Sequence, residues 1–467
     1  MKKRIVFIAS LAVLAVSIIC LLVNIIRIMP PIGDIFKSDE KLSTESTEPT
    51  TEESTSDEIE MAFKAEDYDE VIRLAGIAES LSSKEQNYAS DAMDKLEKQM
   101  QNKVLSLTKE YKYSEGKEEI ARFIKAMPEN VVWTTNEYTR KLEDMCEKYS
   151  NLVEYKGDIE HIFFHPLIAY KELAFDGDYQ EKGLDDYFTT IPEFKEVIRQ
   201  LYENNYVLID IHLIYNVNED GTVSKNTLML PEGKKPIVIS IDDLNFYDYM
   251  KEHGMAHGFM IQDDKIVTYS DRPDGTRDIS DDNAIVPILE KFVTEYPDFS
   301  FGGARGIIAS TGYNGTLGFP TDDLESPDYE ENFRKAKEIA DKLKEMGWLF
   351  ASHSYGHGWA SNQSLEKIKW DNDTWLREVV PIVGETDIYI FPYGEIIKTN
   401  DPKHQYMVDN GFKMFCGVQS KSAYLRFYDE SVLMQRRNID GISMKSGNVG
   451  NMFDISKILD PDRPVYD

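Results

Sequence analysis

Hydrophobic and polar positions divide the chain into four textures. An apolar run without a single charge covers residues 5–23, directly behind Lys2-Lys3-Arg4. As a helix it would be roughly 28 Å long, enough to cross the hydrocarbon core of a bilayer. The basic flank predicts a cytoplasmic N-terminus with everything downstream on the outer side. A cleaved signal peptide is the competing reading, but no small-x-small cleavage site follows and apolar residues continue to Met29. Bulky Ile18 and Ile19 ahead of Cys20 argue against a lipoprotein signal. Residues 1–37 therefore read as a basic flank and transmembrane signal anchor. This implies a single-pass protein of the cell membrane with its later domains extracellular. Residues 38–60 (SDEKLSTESTEPTTEESTSDEIE) offer almost nothing to bury and read as a disordered acidic linker.

From 61 to 150 the period becomes helical, with Ala62, Ala65, Tyr68, Val71, Ile72 and Ala75 recurring at three- and four-residue steps. Further helical stretches are predicted around 84–112, 117–127 and 135–150, broken near Gly116 and at Pro128. The segment AEDYDEVIRLAGIAESL resembles the first helix of a tetratricopeptide hairpin, but the full repeat signature is absent. A small helical spacer and a module that binds a protein partner both remain open. After 155, short β-branched runs (IEHIFF, NYVLIDIHLIY, KPIVISI, GWLFASH, DIYIFPY, GFKMFCGV) alternate with amphipathic segments such as PEFKEVIRQLYENN and ENFRKAKEIADKLKEMG. Strands alternating with helices predict βα units and a parallel sheet or barrel, an α/β fold whose chemistry lies at the C-terminal strand ends.

Charge narrows the partners. Across 467 residues, 52 Lys and Arg face 83 Asp and Glu, a net charge of −31. Residues 1–37 carry +4 and 38–60 carry −8, which leaves about −27 on the rest. An acidic body excludes sequence-independent nucleic-acid binding and a polybasic lipid module. Cys20, Cys146 and Cys416 lie far apart with no CxxC pair, so neither a disulfide framework nor a thiolate zinc site is expected.

Three segments carry candidate chemistry, each after a strand-like run. The first, KPIVISIDD, ends in Asp242 and Asp243. Adjacent carboxylates there serve either as turn residues or as a metal ligand beside a general base. The second, HSYGH, places His353 and His357 four residues apart, where a helical turn lets both imidazoles reach one metal. The third, FPYG, is by itself only a turn signal, though in an active site a backbone N–H at such a turn could face a developing oxyanion.

SIDD, HSYGH and FPYG, in that order on βα units, resemble the polysaccharide deacetylases of carbohydrate esterase family 4 (NodB homology), over roughly residues 155–440. The upstream layout, IFFHPL then YFTTIPEFKEVIRQLYENNYVLIDIHLIY then KPIVISIDD, is similar to the exopolysaccharide and poly-N-acetylglucosamine deacetylases. In those proteins a histidine ahead of the aspartate pair is the general acid. The resemblance implies a distorted (β/α) barrel over 155–467. It assigns Asp242 as general base and Asp243, His353 and His357 as metal ligands. Tyr393 would supply an oxyanion-hole N–H, and His165 the general acid, with His161 as its nearest competitor. Zinc is the default divalent metal, and cobalt, nickel or iron fit the same ligands. The implied substrate is an acetylated cell-surface polysaccharide, exopolysaccharide or peptidoglycan. A catalytically impaired glycan-binding or scaffold protein and an O-deacetylase are the alternatives.

Three departures stand out. Leu244 replaces the glycine that usually follows the aspartate pair, and Ile390 stands where many members have an arginine that orients the base. The spacing between Asp243 and His353 is long and includes FGGARGIIASTGYNGTLGFPTDD, read as loop and barrel wall or as an active-site lid. Arg305 within it is a candidate substitute for the missing arginine.

Overall fold

A computed structural model describes residues 51–272, 274–419 and 422–466. The expected transmembrane anchor and the first part of the linker lie outside the described residues. Among the described residues no helix is long and apolar enough to cross a membrane.

The N-terminal helices are α1 (Thr51–Lys64), α2 (Tyr68–Ile77), α3 (Ser83–Lys109), α4 (Tyr113–Lys125) and α5 (Glu137–Tyr149). The first reaches back into the stretch expected to be linker, because Ile59 is fully buried against Val71, Leu74 and Ala92. Helix α3 begins with a capping box in which Ser82 and Glu85 satisfy each other's backbone N–H groups. Gly116, expected to break the helix, lies inside α4. A Cβ there would meet the Cys146 sulfur at 3.0 Å, so this glycine permits close helix packing. The break falls earlier, where Tyr111 takes φ +60°.

The rest of the described chain closes as a ring of parallel strands in chain order: β1 (Glu160–Phe164), β2 (Lys235–Asp242), β3 (Ile307–Ser310), β4 (Leu349–Ser352), β5 (Ile388–Ile390), β6 (Met414–Val418) and β7 (Val432–Asn438). Parallel pairing of β7 with β1 completes it. The helices α6 (Ile191–Glu203), α7 (Ile285–Glu295), α8 (Tyr329–Met346), α9 (Leu365–Glu378) and α10 (Pro402–Asp409) fill successive crossovers, giving a (β/α) barrel. Period-2 alternation sorts the strand residues. Val238, Ala309, Ala351, Ile390, Cys416 and Met434 belong to the cluster that continues into the N-terminal helices, whereas Ile239, Ile241, Ile308 and Phe350 pack against the outer helices.

One expectation shifts and one is met. NYVLIDIHLIY is not one strand: Tyr206–Leu208 pairs with the start of β2 outside the ring, a short helical turn covers Ile211–Leu213, and Tyr215 opens a separate strand, Tyr215–Val217. The glycine-rich segment supplies β3, a barrel wall. The N-terminal helices pack on the barrel: Tyr111, Tyr113 and Tyr149 surround Phe301, and Tyr113 accepts a hydrogen bond from the Gly302 N–H at 2.8 Å.

His212 ties the segment after Tyr206–Leu208 to the start of β5. Its Nδ1–H donates to Asp210 at 2.7 Å and its Nε2–H to Asp387 at 2.9 Å. Burial disfavours the charged ring, but the two carboxylates outweigh it and push His212 up to about 10. An unfolded histidine titrates near 6.5, so this pairing stabilises fully below about pH 6.5 and is lost as pH rises toward 10. The stability difference between wild type and His212→Gln should therefore shrink between pH 6 and pH 10 in denaturant titrations. A constant difference would contradict the pairing.

Candidate active site

Strand register brings the predicted residues together. Phe164 pairs with Ile241, so His165, one residue on, stands beside Asp242 at the C-terminal strand ends. His353 follows β4 and Tyr393 follows β5. Asp243, His353 and His357 form a cluster whose donor atoms all lie within 4.8 Å of one another, the metal-competent group found among the described residues. His357 Nε2 is 3.4 Å from Asp243 Oδ2, the spacing of two ligands on a tetrahedral ion about 2.1 Å from each. The His353 Nδ1–H donates to the Ile390 carbonyl at 2.8 Å, which fixes the tautomer and leaves Nε2 as a lone pair facing the cluster. Tyr247 O–H reaches Asp243 Oδ1 at 3.5 Å and shares a 2.5 Å hydrogen bond with Thr311.

Electrostatics fit a cation. Burial would raise the Asp243 carboxyl, but His357 and His353 outweigh it and hold it well below the usual range. Burial likewise disfavours a charged His357, yet Asp243 raises it. His353 is lowered by its burial. Two imidazoles and one ionised carboxylate suit zinc and its neighbours in the first transition row, with positions left for water and substrate.

The backbone at the site is unusual. Asp243, Ser354, His357 and Tyr393 all take φ between +48° and +61°, a region disfavoured for non-glycine residues. This resolves the question posed by Leu244. The left-handed residue is Asp243 itself, and the Asn245 N–H donates to the Asp243 carbonyl at 2.7 Å across a tight turn. Leu244 is buried in the barrel–helix core. No glycine is required at 244.

The HSYGH loop is held by a residue the sequence did not point out. The Asp371 carboxylate, from α9, accepts from Ser354 Oγ at 3.0 Å, the Tyr355 N–H at 2.8 Å and the Gly356 N–H at 2.9 Å. It clasps the turn joining the two histidines. Asp371→Ala should weaken zinc binding by about 10–100-fold, as loss of an outer partner does, measured by equilibrium dialysis. Unchanged affinity would contradict this role.

Arg305 does not supply the missing arginine, since its Nε–H donates to Glu290 at 2.8 Å on the outer side of the barrel. Arg436 of β7 supplies it. Fully buried, it donates Nη1–H to Asp242 Oδ1 at 2.6 Å and Nη2–H to Oδ2 at 2.9 Å. Burial would raise the Asp242 carboxyl, but the guanidinium, with His353 and His165 nearby, holds it below the usual range. A hint lies in VLMQRRN, an apolar strand carrying two arginines that burial tolerates only when they are paired.

The two upstream histidines separate cleanly. His161 is buried beneath the site, its Nε2 2.9 Å from Ser240 Oγ. Burial and then Arg436 lower it well below its ordinary value. His165 is half-buried at the mouth. Its Nδ1–H donates to the Tyr187 carbonyl at 3.0 Å, and its ring packs on Phe163 and Phe188. Arg463, near the C-terminus, braces that support by donating to the Asp185 and Phe188 carbonyls at 2.6 and 2.7 Å. Tyr393 meets the His357 ring at 4.7 Å between centroids.

No family model matches the chain, and no curated protein does. Solved structures with some similarity include a Streptococcus pyogenes deacetylase, PplD, in complex with acetate (12% identity, TM-score 0.37). A de-N-acetylase from Aggregatibacter actinomycetemcomitans (13%, 0.35) and IcaB from Ammonifex degensii (12%, 0.36) are similar to the same extent. Each covers 64% of this chain and 98–100% of its own.

Proposed function

We propose that this chain is a metal-dependent deacetylase that hydrolyses N-acetyl groups of an N-acetylglucosamine-containing polysaccharide at the cell surface, held at the membrane by residues 5–23. The observation that carries this reading is the convergence of Asp243, His353 and His357 beside a second aspartate, Asp242, held apart by Arg436. The two adjacent carboxylates thereby take different tasks.

Asp243, His353 and His357 would hold a divalent ion, which would supply Lewis acidity toward water and the acetyl carbonyl. Asp242, ionised and fixed by two charge-assisted hydrogen bonds, accepts the proton of the attacking water as its oxygen bonds to the carbonyl carbon. The Tyr393 N–H, at its left-handed turn, serves the developing oxyanion. His165, with Nδ1 tied to Tyr187, uses Nε2 to protonate the nitrogen as the C–N bond breaks, releasing acetate and a free amine. An amine leaving group depends on that proton more than an alcohol does, which favours amide over ester. Arg436 and the buried Leu244 answer the two departures that suggested an impaired enzyme.

Asp242→Asn should cut acetate release from N-acetylglucosamine oligomers by about 10²–10⁴-fold while zinc still binds. His165→Phe should lower amide hydrolysis far more than hydrolysis of an aryl acetate. Equal losses on both substrates would remove His165 as the general acid.

A further inference from the structure

The site opens onto an aromatic ledge that the hydrolytic chemistry leaves unused. Tyr393 is 61% exposed and Trp359 48% exposed. Their rings are 5.2 Å apart and tilted by 39°, while the Tyr393 ring meets His357 at 4.7 Å. Apolar surface therefore runs continuously outward from a metal-site histidine. Both residues belong to turns that other contacts hold. The Gly358 N–H donates to Ser354 Oγ at 3.2 Å, and the Gly394 N–H donates to the Phe391 carbonyl at 3.0 Å. Tyr393 keeps φ +58°, a conformation that costs free energy and that surrounding structure must sustain.

Large aromatics at an active-site mouth, in contact with each other yet open to solvent, mark a surface that gains from being covered. Trp370, also half-exposed, differs because the Lys367 ammonium caps its ring at 3.5 Å. The ledge presents flat, uncharged faces, which suit the C–H face of a pyranose rather than an ion or a lipid chain.

We propose that Trp359 and Tyr393 form a binding subsite for a pyranose ring neighbouring the one whose acetyl group is hydrolysed, an inference that rests on the deacetylase reading above. The chain then grips a polymer rather than a monosaccharide and acts within the chain.

The test uses the full-length protein with N-acetylglucosamine monomer through hexamer. In wild type kcat/KM for acetate release rises with oligomer length. In Trp359→Ala the rise flattens, with the loss in KM for the hexamer, about ten-fold, rather than in kcat, and Trp359→Phe recovers most of it. Hexamer binding by calorimetry in Asp242→Asn protein, with and without Trp359→Ala, gives a readout free of turnover. A ten-fold weaker hexamer affinity on removing Trp359, with wild-type protein itself releasing no acetate, would retain the subsite and sink the deacetylase reading. Equal KM and equal affinity with and without Trp359 would overturn the subsite while leaving that reading intact.

Discussion

Arg436→Met should lower folding stability by about 3–5 kcal/mol, because it strands the Asp242 carboxylate in the barrel without its counter-charge. Both side chains are almost completely buried and joined by two hydrogen bonds, so solvent cannot take over the lost interaction. Activity should fall with stability but for a distinct reason. A carboxylate freed from the guanidinium loses both its orientation and its low affinity for a proton, and kcat should drop by about 10²-fold or more. Arg436→Lys keeps the charge but not the planar fork and should recover only part of either loss. The double variant Arg436→Met/Asp242→Asn gives the sharper result. With no charge left to strand, it should be more stable than Arg436→Met alone, a non-additivity measurable by denaturant titration. Additive losses would show that the two residues do not act as a pair.

His353→Ala should remove stoichiometric zinc binding, and acetate release with it. The loss should exceed the roughly 10–100-fold that an outer partner such as Asp371 commands. His353 is one of three donors and the one whose tautomer is fixed by the Ile390 carbonyl. Its replacement also leaves that carbonyl without its donor, so a modest fall in stability should accompany the loss of metal. Zinc affinity by competition with a chromophoric chelator, on protein shown folded by circular dichroism, separates the two effects. Retention of one zinc per chain in His353→Ala would remove it from the ligand set.

Much of this was legible because it is local. KPIVISIDD announces a buried strand ending in carboxylates, and HSYGH places two histidines within a turn. What periodicity could not reveal was partnership across the barrel. Arg436 lies 194 residues from Asp242, and no spacing rule connects β7 to β2. Asp371 reads as one more polar residue of an amphipathic helix until the fold sets it under the histidine loop. The segment holding Ile307–Ser310 read as loop and barrel wall or as a lid, because four residues among glycines make a strand signal too weak to place its bounds. Leu244 misled for a subtler reason. The left-handed conformation expected after the aspartate pair falls one residue earlier, on Asp243. The N-terminal helices were legible as helices, but their packing on the barrel depends on the rings gathered at Phe301, which only the tertiary structure assembles.

The central claim is tested most directly by acetate release from N-acetylglucosamine oligomers, using full-length protein stripped with a chelator and then titrated with zinc. Release should be absent from the stripped protein, return in proportion to zinc up to one ion per chain, and fall by about 10²–10⁴-fold in Asp242→Asn with zinc still bound. Full-rate release from metal-free protein, or a zinc-loaded, folded chain that frees no acetate from acetylated oligosaccharides, would contradict it.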